Sequence, residues 1–266
     1  MTNRVDGIVF DISGTVERGK KVLPGVLDTL AELRRRDIRF AFFTNDNSNP
    51  ISLCVERLAA LGITVKPEEV LSSALIAAEV VCELYPNSKI LPIGGPGLME
   101  AMQDRNLNLL DLNQADEAEV VVMGKDVGFN QKRLNIVCQA IWNGAKFLAT
   151  NIDPKIPTAN GFEPATGPMV KAVAYATGCE PLITGKPSHW SGKMAMKILN
   201  IAPERGAVIG DFLDTDIAMG KSAGIFSILV LTGVSTREQV DAAPDNMKPD
   251  LVLPDVNQLI NWLNEG

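Results

Sequence analysis

The chain has 266 residues, enough for one large core or two modest ones, and its 46% hydrophobic and 21% charged residues are ordinary for a globular protein. A formal charge of −7 argues against a nucleic-acid or anionic-membrane partner, so a site for an anion must draw local positive charge from a metal, a lysine or backbone amides. One histidine and four cysteines without a Cys-x-x-Cys pair exclude a His/Cys zinc centre within one chain and predict buried free thiols in a reducing compartment.

The first six residues lack the apolar stretch of a signal peptide, and no apolar run approaches the roughly 20 residues of a bilayer span, so a cytoplasmic protein is expected. Residues 8–10 read as a short buried strand that delivers Asp11 to a tight turn through Ser13, Gly14 and Thr15. Pro24 and Gly25 open a helix to Arg36, with Val26, Leu27, Leu30 and Leu33 at helical spacing. Residues 38–43 form a second buried strand ending at Thr44-Asn45, and a helix over 51–61 is stopped by Gly62. Strand, helix and strand with short connections predict a parallel sheet with right-handed crossovers.

The middle of the chain adds strands over 90–93, 120–123 and 147–149 and a helix over 131–142. The run Gly94-Gly95-Pro96-Gly97 lacks the lysine of a P-loop and reads as a strand-to-helix turn. Residues 150–168, rich in Asn, Pro, Gly and Thr, read as a long binding loop or lid in which Asn151, Asp153 and Asn160 are candidates for substrate specificity. Towards the end come a strand over 207–209 leading to Gly210-Asp211, a helix over 217–223 closed by Gly224, strands over 226–231 and 251–253, and a helix over 256–263. The fold class is α/β. A Rossmann-like parallel-sheet core, residues 1–74 and 185–266, is expected to carry an inserted α/β cap domain over 75–184.

Four separated pieces stand where a strand ends or a helix begins: Asp11 to Thr15, Thr44-Asn45, Gly185-Lys186-Pro187-Ser188, and Gly210-Asp211 followed by Asp214 and Asp216. Strand carboxyl ends share one edge of a parallel sheet, so these pieces can converge on one crevice. Together they supply what phosphoryl transfer needs: a carboxylate nucleophile in Asp11, an oxygen site for Mg²⁺ at Asp11 and Asp211, and Thr44, Lys186 and the Ser13-Gly14 amides to bind phosphoryl oxygens.

With these motifs the chain resembles the haloacid dehalogenase superfamily of aspartate-nucleophile phosphotransferases, in the NagD-like and 4-nitrophenylphosphatase-like branch. The likeness rests on residues 10–15, Phe43-Thr44-Asn45, Ala149-Thr150-Asn151 with Asp153, Gly185 to Ser188, Gly210-Asp211 with Thr215-Asp216-Ile217, and Leu231-Thr232-Gly233-Val234. It implies Asp11 as nucleophile and metal ligand, Asp211 as a further metal ligand, and Asp216 as support behind them. It implies phosphate binding by Thr44, Asn45 and Lys186, and a backbone carbonyl at Ser13 as a metal ligand. It also implies a small phosphorylated metabolite as partner, and homo-oligomers through the cap.

The branch usually carries a general acid/base aspartate where this chain has Ser13. Three readings follow: a phosphatase whose substrate needs little acid help, such as a phosphoramidate or an ester with a good leaving group; a proton supplied by another group such as His189; or a catalytically impaired protein that binds phosphate ligands.

Overall fold

The computed structural model describes residues 5–19, 21–158 and 161–265. In chain order the elements begin with β1 (Gly7–Asp11), a small hairpin of β2 (Glu17–Arg18) and β3 (Lys21–Val22), α1 (Val26–Arg35), β4 (Arg39–Thr44), α2 (Ile51–Ala60), β5 (Val70–Ser72) and α3 (Ser73–Leu84). There follow β6 (Lys89–Ile93), α4 (Pro96–Gln103), β7 (Asn108–Leu109), β8 (Val120–Met123), α5 (Gln131–Trp142), β9 (Lys146–Ala149), β10 (Lys155–Thr158), β11 (Gly161–Pro164), α6 (Thr166–Thr177) and β12 (Leu182–Ile183). The last elements are α7 (His189–Leu199), β13 (Gly206–Gly210), α8 (Ala218–Ala223), β14 (Phe226–Val230), α9 (Arg237–Ala242), β15 (Leu251–Leu253) and α10 (Gln258–Glu265).

The chain folds as two compact units. The first comprises the chain up to Thr44, Cys54–Leu71 and the chain from Lys186 onward; the second comprises Asn45–Leu53 and Ser72–Gly185. Asn45–Leu53 therefore packs with the middle of the chain, although it lies outside 75–184.

In the first unit a six-stranded sheet runs in the order β15-β14-β13-β1-β4-β5. The pairs β1–β13, β1–β4, β13–β14 and β14–β15 are parallel. Ile8, Val9 and Phe10 are wholly buried, which is why β1 reads as an unbroken apolar run rather than an alternating one. From β1 the chain moves to β4 on one side, and from β13 to β14 on the other. The carboxyl ends of β1 and β13 thus flank a topological switch point, where an open α/β sheet leaves a crevice.

The second unit repeats this plan. Its five-stranded sheet has the order β12-β9-β8-β6-β7, with every adjacent pair parallel. Leu91, Ile93, Val121, Met123, Phe147 and residues of α5 and α6 such as Val137 and Val170 form its own core.

Three expectations change. Residues 150–168 are not one irregular loop, because β10 and β11 pair as an antiparallel hairpin and α6 starts at Thr166. The helix expected over 217–223 starts earlier, with a π-wound turn at Leu213–Ile217 feeding α8. All four cysteines are free as expected, but only Cys138 is buried, and Cys82 is exposed. Among the described residues, no helix is long and apolar enough to cross a membrane.

Candidate active site

Three carboxylates meet at the β1/β13 switch point. Asp11 is the last residue of β1, Asp211 follows β13, and Asp216 lies in the π-wound turn after it. One carboxylate oxygen from each lies within 4.8 Å of the others. Lys186 reaches into the same place from the segment before α7. Its Nζ donates to Asp11 Oδ1 at 2.5 Å, to Asp216 Oδ1 at 2.7 Å and to the Phe43 carbonyl at 3.4 Å. Lys186 is only 3% exposed, so the ammonium is committed to these partners.

Missing side chains shape the cluster. A Cβ on Gly233 would lie 1.6 Å from Asp211 Oδ2, and one on Gly14 would lie 2.4 Å from the same oxygen. A Cβ on Gly210 would press on Asp216 at 2.2 Å from its Cγ. Gly14 also has φ +93°, a conformation that suits glycine. Backbone amides complete the support: Val234 N–H donates to Asp211 Oδ2 at 2.7 Å and Phe212 N–H donates to Asp216 Oδ2 at 3.2 Å. The Thr232 hydroxyl donates to the Gly14 carbonyl at 2.6 Å and ties the two loops together. The run Leu231-Thr232-Gly233-Val234 carried no stated role in the sequence. Its signal was a Thr-Gly pair directly after an apolar strand.

The electrostatics show excess negative charge. Burial raises the Asp11 carboxyl well above its ordinary range; Lys186 opposes this, while Asp216 and Asp211 add to it. Burial, with Asp216 adding to it, pushes Asp211 up to about 6 against the Val234 amide and Lys186. Burial alone would lower Lys186, but Asp11 and Asp216 outweigh it and hold the ammonium above its usual value. Three clustered carboxylates against one ammonium leave room for a further cation, and an all-oxygen donor set fits a hard divalent ion such as Mg²⁺. Asp11, Asp211 and Asp216 offer the oxygens that could hold it.

The other expected site residues fall in two places. Ser13 is exposed and forms an isolated β-bridge with Glu17, and Thr44 ends β4 half-buried, one residue beyond Phe43, which pairs with Asp11. Asn45 belongs to the second unit, with Asn151 and Asp153. Its side-chain amide donates to both Asp153 carboxylate oxygens at 3.2 Å, and its carbonyl accepts from Asn151 Nδ2 and from the Ser73 hydroxyl, each at 2.7 Å. Asn151 is 2% exposed, so its amide serves this backbone contact. Asn160 lies outside the described residues. His189 begins α7 directly after the N-cap Ser188, is exposed, and stacks beside Trp190 with ring centres 4.7 Å apart.

Sequence reading did not single out Glu17. It is 5% exposed, pairs with Arg57 at 2.9 Å, and keeps one buried oxygen, Oε2, without a hydrogen-bond partner among the described residues. Nothing in the sequence distinguished it from a solvated hairpin residue.

Comparison with known proteins agrees with this geometry. The sequence model of the haloacid dehalogenase-like hydrolases matches residues 8–108, and a second HAD-hydrolase-like model matches 183–259. An acid sugar phosphatase of Staphylococcus epidermidis is 33% identical over 257 residues, covering 97% of each chain. The 4-nitrophenylphosphatase of Thermotoga maritima superposes with a TM-score of 0.90 at 31% identity over 98% of each chain. The glycerol phosphate phosphatase of Mycobacterium tuberculosis, solved in complex with magnesium, gives 0.90 at 31% identity over 96% of this chain and 76% of that one. The strand-end carboxylates, the buried lysine and these matches over nearly the whole length agree: the chain belongs to the haloacid dehalogenase-like hydrolases, in the branch of the 4-nitrophenylphosphatases.

Proposed function

We propose that the chain is a Mg²⁺-dependent phosphatase of small phosphorylated metabolites, working through an aspartyl-phosphate on Asp11. The observation that carries this reading is the Asp11–Lys186 contact of 2.5 Å inside a buried cluster with Asp211 and Asp216. The relatives named for sugar phosphate and glycerol phosphate hydrolysis favour a phosphorylated sugar or polyol as substrate.

A carboxylate oxygen of Asp11 attacks phosphorus as the bond from phosphorus to the substrate oxygen breaks, and the substrate oxygen departs with the electron pair as an alkoxide that must take up a proton. Lys186 orients Asp11 through Oδ1 and sets positive charge beside the phosphoryl oxygens. Thr44, which ends the neighbouring strand, donates to the same oxygens in this scheme. Asp216 holds the Lys186 ammonium through a second bond of 2.7 Å. A bound Mg²⁺, held by Asp11, Asp211 and the Ser13 carbonyl, would neutralise the charge that builds on the phosphoryl group. Water then attacks the phosphorus of the aspartyl-phosphate, releasing inorganic phosphate and the free carboxylate.

Both steps need a proton carrier for the leaving alkoxide and for the attacking water. Ser13 stands where the family's usual aspartate supplies it, and a serine hydroxyl holds its proton far too tightly for that role at neutral pH. General acid/base help is worth about 10²–10⁴-fold. Without that help a sugar or polyol phosphate, whose alkoxide leaves poorly, is turned over slowly, and an activated aryl phosphate faster.

The test is phosphate release from 4-nitrophenyl phosphate with and without Mg²⁺, for the wild type and for Asp11→Asn. Loss of turnover in both the metal-free enzyme and the variant is expected. Wild-type turnover by Asp11→Asn would remove the nucleophile from the scheme.

A further inference from the structure

The second unit has a switch point of its own. From β6 the chain passes through α4 to β7 on one flank, and from β8 it passes through α5 to β9 on the other. The carboxyl ends of β6 and β8, which pair in parallel, therefore open a crevice by the same topological rule that places the carboxylates at β1 and β13. A cavity of about 660 Å³ lies there, lined by the Gly94-Gly95 turn after β6, by Lys125, Asp126 and Val127 after β8, and by Asp46 and Arg133. That volume falls within the roughly 300–1,000 Å³ of small-molecule sites.

Its lining is built for recognition. Asp126, 7% exposed, accepts from the Gly128 amide at 2.8 Å and pairs with Arg133 Nη1, so the guanidinium is held in place by a buried partner. The other donors of Arg133 have no protein acceptor among the described residues, which leaves a pre-oriented fork with unused capacity. Gly128 makes room for this fork, because a Cβ there would lie 2.9 Å from Arg133 Nη1. Among the described residues the Lys125 ammonium has only a 4.0 Å contact with the exposed Glu163. Val127 is 96% exposed and adds an apolar surface at the rim. The α4 N-terminus contributes little, since its Gly97 amide is already spent on the Ser48 carbonyl at 3.2 Å.

We propose that this crevice is a binding site for a small hydroxylated anion. Arg133 and Lys125 take the anionic group, and Asp46 accepts from hydroxyls. None of its residues belongs to the Asp11 cluster. The same chemistry has two sources, the far end of a phosphorylated substrate or a separate effector, and the test has an arm for each.

The first arm measures binding of D-gluconate, which carries a carboxylate and hydroxyls but no phosphate, by titration calorimetry on the full-length protein. The second compares kcat/KM for 6-phosphogluconate with that for 4-nitrophenyl phosphate. Both are run for the wild type, Arg133→Gln and Lys125→Gln. Arg133→Gln strips the buried Asp126 of its partner and can disturb the loop, whereas Lys125→Gln leaves no buried charge behind. At least tenfold weaker gluconate binding in Lys125→Gln, with a tenfold fall in the substrate ratio, supports the site and assigns it to the substrate. Weaker gluconate binding with an unchanged ratio supports the site and assigns it to an effector. No gluconate binding by the wild type together with an unchanged ratio in both variants overturns the proposal. The calorimetric arm reads without turnover, so a failed catalytic scheme would not imitate a failed site.

Discussion

Replacing Lys186 by methionine removes the ammonium that bonds Asp11 at 2.5 Å and Asp216 at 2.7 Å, and leaves the aliphatic stem to fill the space. The lysine is 3% exposed, Asp216 2% and Asp11 13% by side chain, so bulk water cannot take over the lost bonds. Deleting one partner of a buried ion pair costs about 3–5 kcal/mol, and here one cation serves two anions, which places the expected loss near 5 kcal/mol. At roughly 2–4 °C per kcal/mol for a unit of this size, the unfolding transition of the metal-free protein should fall by about 10–20 °C. Circular dichroism melts in EDTA at pH 7 measure it. Mg²⁺ at 100 times its dissociation constant should return about 2.7 kcal/mol, because a dication restores the missing positive charge.

Acid should narrow the same deficit. Asp11 and Asp211 titrate above their unfolded values, so the folded state binds more protons than the unfolded one and gains stability as pH falls through about 6. The gain is larger where Lys186 no longer offsets the charge. A variant within about 1 kcal/mol of wild type in EDTA at pH 7 would refute Lys186 as the counter-charge of the cluster.

Ser13→Asp restores a carboxyl at the proton-transfer position and should raise turnover of alkyl phosphates by about 10²–10⁴-fold, with a smaller gain on 4-nitrophenyl phosphate; an unchanged rate on both would refute the missing-acid account. Gly233→Ala places a carbon 1.6 Å from Asp211 Oδ2 and must displace that carboxylate, so the Mg²⁺ concentration for half-maximal activity should rise at least tenfold in a metal titration. Burial raises the Asp250 carboxyl, but Lys221 at 2.5 Å and the Ser227 hydroxyl and amide at 2.7 and 2.8 Å outweigh it and hold it below its ordinary value. Its contribution is therefore present above the unfolded pKa and lost as pH falls through the folded one, so the urea stability gap between wild type and Asp250→Asn should shrink from pH 7 to pH 3.

The first unit was legible because its signals are local. The run Ile8-Val9-Phe10 must be buried on both faces, and a carboxylate at its end can only sit on the sheet's carboxyl edge. The places of Lys186 and Asp211 beside element boundaries were legible the same way. The hairpin of β10 and β11 was not legible. Pro157 and Pro164 interrupt its strands, and β11 is exposed throughout, so no apolar alternation marks it. The bond from the Asn151 side chain to the Asn45 carbonyl was not legible either, because polar loop residues look alike in sequence and this pairing spans 106 residues. The membership of Asn45–Leu53 in the second unit is likewise a matter of long-range packing, which periodicity does not report.

The glycines at 14, 210 and 233 give the site an unusual relation to mutational drift. Each occupies its position by what it lacks, and the Asp211 and Asp216 carboxylates fill the space a side chain would take. Every amino-acid change at these positions adds atoms, and none can be offset by trimming a neighbour without trimming a carboxylate. The acidic residues can be exchanged for isosteres one at a time, but the hollow that holds them tolerates no intermediate. Sequence drift in this chain should therefore be recorded around the mould and not in it, and a homologue that has lost one of these glycines is the one to suspect of having abandoned the chemistry.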